Sequence, residues 1–214
     1  QILNSPDKIF GPAFEVPLFI LETAFFDLDE YHKIYPFRHL MIHLFYLIGA
    51  FVFYLIIYSI YQNKYLAFLG ALLLLIHPRI YSHSFYNSKD IPFMVGIILC
   101  TYFLIKLCRS NKKGWLISLG VSLGLLINLR FAGIIYLGIF PLFYLIYQKS
   151  ITLKSILHSG LIILIGLISL FLSFPLFWEN PFNELFLSLE SSSKWTQMNV
   201  NLFFGSFHNA NNLP

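Results

Sequence analysis

The stretch HLMIHLFYLIGAFVFYLIIYSIY, residues 39–61, contains no Lys, Arg, Asp or Glu, and it decides the class of fold. About 20 apolar residues in a helix cross the roughly 30 Å of hydrocarbon in a bilayer, because each residue adds about 1.5 Å. Five further apolar segments follow at residues 65–77, 91–108, 115–129, 131–147 and 156–178. The sequence therefore predicts an all-α, polytopic membrane protein with about six transmembrane helices, of which the second and fourth are short.

The composition excludes a single soluble domain. Of the 214 residues, 57% are hydrophobic and 11% are charged, whereas about 25% of the residues of a soluble domain are charged. The net charge of +4 does not indicate a nucleic-acid partner. The basic residues lie in short loops between apolar segments, which is typical of the cytoplasmic loops of membrane proteins.

The distribution of charge predicts the orientation in the membrane. Loops 62–64, 109–114 and 148–155 contain Lys and Arg but no acid, so we expect them to be cytoplasmic. All the acidic residues then fall on the outer side, in an outer loop at 1–38, at one end of the core 39–178, or in the start of a later outer loop at 179–214. Because residue 1 is Gln and this end lies outside, we expect at least one span before it and further chain after Pro214.

The first outer loop contains an apolar stretch, residues 11–26, that is interrupted by acids. Glu15 and Glu22 are seven residues apart and share one face of a helix, which predicts an amphipathic helix lying in the membrane interface. Two interpretations stay open for it: a surface helix with a solvated acidic face, or a wall of an active-site groove. The following cluster, Asp27, Asp29 and Glu30, is a candidate site for a divalent cation, but adjacent acids rarely converge on one ion.

The candidate site residues gather at the ends of spans on the outer side. Arg79, His83, Lys89 and Asp90 lie within twelve residues between the second and third spans. Ionisable groups at such a position usually mark a functional cavity, and the cations suit an anionic phosphate headgroup. Asp90 also starts a helix, where a carboxylate can simply cap free N–H groups, so both interpretations stay open.

Two more candidates lie on the same side of the membrane. Arg130 stands in a short turn between the fourth and fifth spans, either as an interfacial anchor or in contact with a lipid phosphate. Glu179 follows the last span.

Several short motifs resemble those of GT-C glycosyltransferases, in particular the bacterial protein-O-mannosyltransferase-like and aminoarabinose-transferase-like enzymes. The motif NSKDIPF, residues 87–93, follows a short span that ends in proline and resembles the outer acidic motif of that family. The remaining motifs agree with the family in their order along the chain: KIFGP (8–12), Arg38, NLRFAG (128–133), WENP (178–181), LFFG (202–205) and NLP (212–214). The likeness extends over essentially the whole chain.

The resemblance implies an enzyme that moves a sugar from a polyprenyl-phosphate carrier to a lipid, glycan or protein acceptor. The reaction would take place at the outer face of a bacterial inner membrane. In the family, an Asp early in the first outer loop acts as general base or orients the acceptor, and we expect it upstream of Gln1. Asp90 matches the second acidic position, near the reaction centre.

The same resemblance gives roles to the other candidates. Arg79, Lys89 and Arg130 would stabilise the leaving phosphate, with His83 and Glu179 as further substrate contacts. Some relatives have EKPP where this chain has DKIFGP (7–12), so no metal ligand is assigned, although a divalent cation is an option. No other cofactor is expected.

Two other classes of function compete with a transferase. One is a transporter or flippase for an anionic lipid-linked substrate, which usually shows an internal repeat that this sequence lacks. The other is a non-catalytic membrane scaffold.

Overall fold

The computed structural model describes residues 11–27, 29–148, 151–178, 180–193, 200–203 and 206–209. Within them the chain forms the helices α1 (Glu15–Phe25), α2 (Tyr31–Tyr61), α3 (Lys64–Ile76), α4 (Pro78–His83), α5 (Asp90–Ser110), α6 (Lys113–Leu129), α7 (Ile134–Tyr147), α8 (Leu153–Ser173) and α9 (Pro181–Ser193). Short 3-10 turns at Phe131–Gly133 and Pro175–Phe177 precede α7 and follow α8. Near the C-terminus the strands β1 (Val200–Phe203) and β2 (Ser206–Asn209) pair in antiparallel fashion.

The predicted fold class is confirmed. Three helices, α2, α5 and α8, are long and apolar enough to cross a membrane. The other three predicted spans correspond to shorter apolar helices, Lys64–Ile76, Lys113–Leu129 and Phe131–Tyr147. The count of six spans therefore stays a prediction. The hairpin of β1 and β2 is an addition to the helical fold and lies in the predicted outer segment 179–214.

Several helix ends differ from the predicted spans. Helix α2 begins at Tyr31 rather than at 39, because a helix can continue beyond the hydrocarbon through residues that the apolar pattern excludes. Helix α8 begins at Leu153, after a capping box formed by Thr152 and Ser155. It ends at Ser173, shortly before Pro175, which cannot continue the helical hydrogen bonding. The helix over the predicted span 156–178 therefore runs from Leu153 to Ser173.

Helix α6 is the centre of the bundle. It packs most extensively against α8 and α5, and its buried residues include Leu119, Leu123 and Leu126. Small residues allow the close approach to α8: a methyl group at Gly124 would lie 2.4 Å from the carbonyl oxygen of Gly166. Arg130, one of the candidate site residues, directly follows α6.

The outside of the bundle is apolar. Large hydrophobic side chains are exposed on separate helices, including Phe68 and Leu73 on α3, Phe143 on α7, and Leu164 on α8. A protein surrounded by water does not expose apolar area on this scale, whereas lipid tails cover it without cost. The chain is an integral membrane protein.

Candidate active site

Asp90 and Arg130 form an ion pair at one end of the bundle. Asp90 is the first residue of α5, and Arg130 follows the last residue of α6. Because α5 and α6 pack as antiparallel neighbours, the start of one lies beside the end of the other. Nη1 of Arg130 donates a hydrogen bond to Oδ1 of Asp90, and the two side chains are 41% and 52% exposed. Two candidates 40 residues apart in sequence are thus brought together at an accessible position.

The side chain of Asn87 organises the start of α5. Its Oδ1 accepts hydrogen bonds from the backbone N–H groups of Lys89 at 3.2 Å and Asp90 at 2.8 Å. Its Nδ2 lies 3.0 Å from Oδ2 of Asp90 and 2.9 Å from Nδ1 of His83. Asn87, rather than Asp90, therefore caps these N–H groups, and the carboxylate of Asp90 instead pairs with side chains. This geometry disfavours the interpretation of Asp90 as a simple helix cap.

The other two candidates of this segment differ in placement. His83, at the end of α4, is half-buried and joins the Asp90 cluster through Asn87. Arg79, on the same short helix, is exposed. Among the described residues, none forms an ion pair or side-chain hydrogen bond with Arg79. The structure thus joins His83 to the cluster but not Arg79.

Lys89 lines a cavity of about 330 Å³ next to the ion pair. Glu15 of α1 and Ser88 line the same cavity. Oγ of Ser88 donates a hydrogen bond of 2.6 Å to Oε1 of Glu15. The predicted interfacial helix and the predicted second outer segment, which are far apart in sequence, thus meet at this cavity.

Helix α1 is held to α2 through Arg38. Nε of Arg38 donates to Oε1 of Glu22 at 2.5 Å, and its Nη1 lies 3.3 Å from Oε2 of Glu15. Glu22 is only 4% exposed and lies on the buried face of α1 together with Leu18. The acidic face of α1 is therefore not solvated at Glu22, although exposed residues such as Phe19 and Ile20 keep the helix at the surface of the bundle. The contacts support the alternative, in which α1 is a wall of a groove.

Asn128 attaches the segment before α1 to the centre of the bundle. Its side chain is fully buried, and Oδ1 accepts a hydrogen bond of 2.9 Å from the backbone N–H of Ala13. Its Nδ2 donates to the carbonyl oxygen of Ser173 at 2.8 Å and to the Ser173 hydroxyl at 2.9 Å. Asn128 thereby fixes the end of α6 just before Arg130.

An apolar groove of about 440 Å³ adjoins the polar cavity. Residues of α1, α2, α5 and α6 line it, and nearly all of them are apolar. Phe14 and Leu129 line both the groove and the polar cavity. A pocket lined in part by Glu15, Ser88 and Lys89 and an apolar groove therefore meet at one end of the bundle.

The acidic cluster after α1 shows no metal site. Among the residues that the structure describes, no group of three or more His, Cys, Asp and Glu side chains is placed to hold a metal ion. Glu30 instead accepts a hydrogen bond of 2.6 Å from Lys33, which lowers the pKa of the Glu30 carboxyl. A divalent cation stays an untested prediction. Glu179, the remaining candidate, lies outside the described residues.

Sequence reasoning did not assign roles to Asn87, Ser88, Arg38 or Asn128. A signal existed for Asn87, because Asn is a preferred capping residue just before a helix. A signal also existed for Asn128, a polar residue at the end of an apolar span. The ion pairs of Arg38 depend on how α1 packs on α2, and no local pattern predicts that.

The part of the chain that forms this bundle matches a known family. The family described as dolichyl-phosphate-mannose-protein mannosyltransferase matches residues 31–177, which is more than half of the chain. The chain belongs to this family. No curated protein and no solved structure matches the chain significantly.

Membership confirms the resemblance to GT-C enzymes. The chain is a membrane glycosyltransferase of the kind that depends on polyprenyl-phosphate-linked sugars. The match includes Asp90, Arg130 and the start of α5, whereas α1 lies before it. The family match assigns no role to any single residue.

Proposed function

We propose that the protein transfers a sugar from a polyprenyl-phosphate carrier to a lipid, glycan or protein acceptor at the outer face of a bacterial inner membrane. One observation carries this proposal: the Asp90–Arg130 pair stands beside a polar cavity that shares Phe14 and Leu129 with an apolar groove. A lipid-linked sugar has the same division into a charged head and an apolar chain.

The apolar groove suits the polyprenyl chain. Burying an apolar chain contributes about 0.8 kcal/mol for each methylene group that is removed from water. The polyprenyl chain, however, passes from lipid into the groove, so no methylene group is removed from water and no free energy is gained in this way. The groove therefore serves to orient the carrier rather than to bind it tightly. It directs the phosphate toward the cavity lined by Lys89.

Lys89 and Arg130 suit the phosphate of the carrier. When the bond between the anomeric carbon and the phosphate oxygen breaks, negative charge develops on the leaving phosphate. Cations that are already in position stabilise this charge more in the transition state than in the ground state. Arg79 and His83, both on α4, are further candidates for contact with the headgroup.

Asp90 suits the positive charge that develops on the anomeric carbon. In the transfer, a bond forms between that carbon and the acceptor oxygen, and the acceptor proton passes to a base. A carboxylate close to the anomeric carbon stabilises the oxocarbenium-like transition state. The Asp90 carboxylate is held from two sides, by Arg130 and by Asn87, and is still half-exposed.

The outer location is supported by the charge pattern of the loops. The turns at the other end of the bundle contain Lys64, Arg109, Lys112 and Lys113 without an acid. Lys and Arg are enriched in cytoplasmic loops, so the Asp90 cluster belongs on the opposite face. An outer site also fits a carrier that presents its sugar outside the cell.

The test is the substitution Asp90→Asn in the full-length protein. Reconstituted protein would be supplied with polyprenyl-phosphate mannose carrying a labelled sugar, with membrane extract as the source of acceptor. We expect Asp90→Asn to abolish transfer while expression and thermal stability stay at the wild-type level. Asp29→Asn is the matched control, because Asp29 is exposed before α2 and should leave transfer unchanged.

Two results would contradict the proposal. Wild-type transfer by Asp90→Asn would exclude Asp90 from the reaction. Movement of the carrier across vesicles without formation of a glycosidic bond would instead favour a transporter or flippase. If mannose is not transferred, the same assay with carriers of other hexoses and of pentoses identifies the sugar.

A further inference from the structure

The amide of Asn87 uses both of its ends in a single cluster. Oδ1 accepts from two backbone N–H groups, those of Lys89 and Asp90, while Nδ2 reaches Oδ2 of Asp90 and Nδ1 of His83. A primary amide provides one acceptor atom and two donor hydrogens. The oxygen and both hydrogens of the amide thus have partners in this cluster.

The contacts fix the orientation of this amide. If it were turned over, its oxygen would face the carboxylate of Asp90 and its NH₂ group would face two backbone N–H donors. Both arrangements are repulsive, so the oxygen must point to the backbone. Nδ1 of His83 must then be the acceptor, and any proton on the neutral ring is on Nε2.

We propose that Asn87 is the positioning residue of Asp90, a role that rests on the proposed function of Asp90. Asn87 holds Oδ2 of the carboxylate while Arg130 holds Oδ1, so the carboxylate cannot rotate about its last bond. A carboxylate in one fixed orientation meets the anomeric carbon without a reorganisation step. In this role Asn87 contacts no substrate atom and acts only through Asp90.

The charged groups around Asp90 come from four elements. Arg130 faces it from the end of α6, and Lys89 stands next to it in sequence. His83 of α4 contacts Asn87, and Glu15 of α1 contacts Ser88, two residues before Asp90. An additional negative charge at position 87 would therefore act first on Asp90, its hydrogen-bonded neighbour.

The substitution Asn87→Asp separates the two functions of the side chain. Asp caps a helix about as well as Asn, so the bonds to the two backbone N–H groups are retained. The donor to Asp90 is lost, and a second carboxylate takes its place. We expect turnover to fall roughly 10²-fold with little change in the KM for polyprenyl-phosphate mannose. We also expect the acidic limb of the pH–rate profile to move to higher pH, because the new charge disfavours the ionised form of Asp90.

Asn63→Asp is the matched control. Asn63 caps α3, where its Oδ1 accepts from the N–H groups of Tyr65 and Leu66 in the same way. It lies at the other end of the bundle from Asp90. The control should keep the wild-type turnover, pH profile and stability.

A further variant, Asn87→Ser, can still cap the helix but places no second charge beside Asp90. It should lose turnover without the shift in the pH profile.

The outcomes distinguish this proposal from the function on which it rests. If Asp90→Asn is inactive and Asn87→Asp keeps the wild-type turnover and pH profile, Asn87 does not position Asp90. A loss of stability in Asn87→Asp with normal turnover per folded molecule would also overturn the role, because Asn87 would then be structural only. If Asp90→Asn keeps full turnover, the proposed function fails first.

Discussion

At the scale of single residues, the pair of Glu22 and Arg38 shows how a charge is kept in an apolar setting. Glu22 is 4% exposed, and Arg38 is 36% exposed. A buried carboxylate is tolerated when a cation and hydrogen bonds compensate for its lost hydration. Arg38 supplies both, and it also contacts Glu15. The pair therefore determines how α1 lies on α2.

We predict that Arg38→Gln lowers the free energy of unfolding by about 2 kcal/mol, because it leaves the buried Glu22 without its cation. The loss is smaller than the 3–5 kcal/mol of a fully buried pair, since solvent partly screens Arg38. Glu22→Gln in the same chain should restore part of the stability, because no buried charge remains. Unfolding of the full-length protein by SDS in detergent micelles measures the difference.

Glu30→Gln is the control for this cycle. Glu30 pairs with Lys33 at the surface, where both side chains are accessible, so its removal should produce no resolvable change. Equal losses for Arg38→Gln and Glu30→Gln would contradict the assigned role of Arg38. A double variant less stable than Arg38→Gln alone would also contradict that role.

The site residues differ in how far the sequence predicts them. Asp90 and Arg130 were found from their position at the ends of apolar spans, since a charge there is costly and rarely accidental. Their mutual contact was not predicted, because it depends on α5 and α6 being antiparallel neighbours. The capping contacts of Asn87 have a local signal in the sequence, but its contacts with Asp90 and His83 depend on one rotamer, about which composition and spacing contain no information.

At the scale of secondary structure, the packing of α6 on α8 depends on glycine. Gly120 and Gly124 lie on the face of α6 that meets α8, and a methyl group at either would come within 3 Å of an α8 atom. Without a hydrophobic effect between helices in lipid, close packing of this kind is a main source of association. Gly160 of α8, by contrast, has no atom within 4 Å of the position where a methyl group would stand.

We predict opposite effects for two Gly→Ala substitutions. Gly124→Ala should lower the free energy of unfolding by about 1–3 kcal/mol, because its methyl group meets the backbone of α8 and the helices must separate. Gly160→Ala should be neutral or stabilising by up to about 1 kcal/mol, because alanine favours the helix. SDS unfolding of both variants measures the difference, and equal stability of the two would contradict the assigned contact.

The helices themselves were largely predictable, and their ends were not. Hydropathy locates α2, α5 and α8 because an apolar segment of that length has few other structures in a membrane. The ends depend on caps such as Thr152 with Ser155, and on Pro175 after α8. The start of α2 at Tyr31 has no hydropathy signal, since Lys33 and Arg38 interrupt the apolar residues there.

At the scale of the whole molecule, four helices combine to form the groove and the cavity. α1, which precedes the part of the chain that matches the family, closes one side of the groove, and α2, α5 and α6 form the rest. Phe14 and Leu129 mark the junction between apolar groove and polar cavity. The sequence predicted the side of the membrane for each part, but a cavity between elements distant in sequence follows only from their packing.

The groove can be tested by filling it. Ser122 of α6 lines the groove, and Ser122→Phe would occupy part of its volume. If the groove orients the polyprenyl chain, the KM for a long-chain donor should rise several-fold, because a displaced chain no longer directs the phosphate toward the cavity. A donor with only one or two isoprene units should keep its KM, because it does not reach the filled part. Ile117→Phe, at an exposed position of the same helix, is the control and should leave both values unchanged. An equal rise in KM for long and short donors would show that Ser122→Phe disturbs the headgroup site instead. The groove would then have no role in holding the chain.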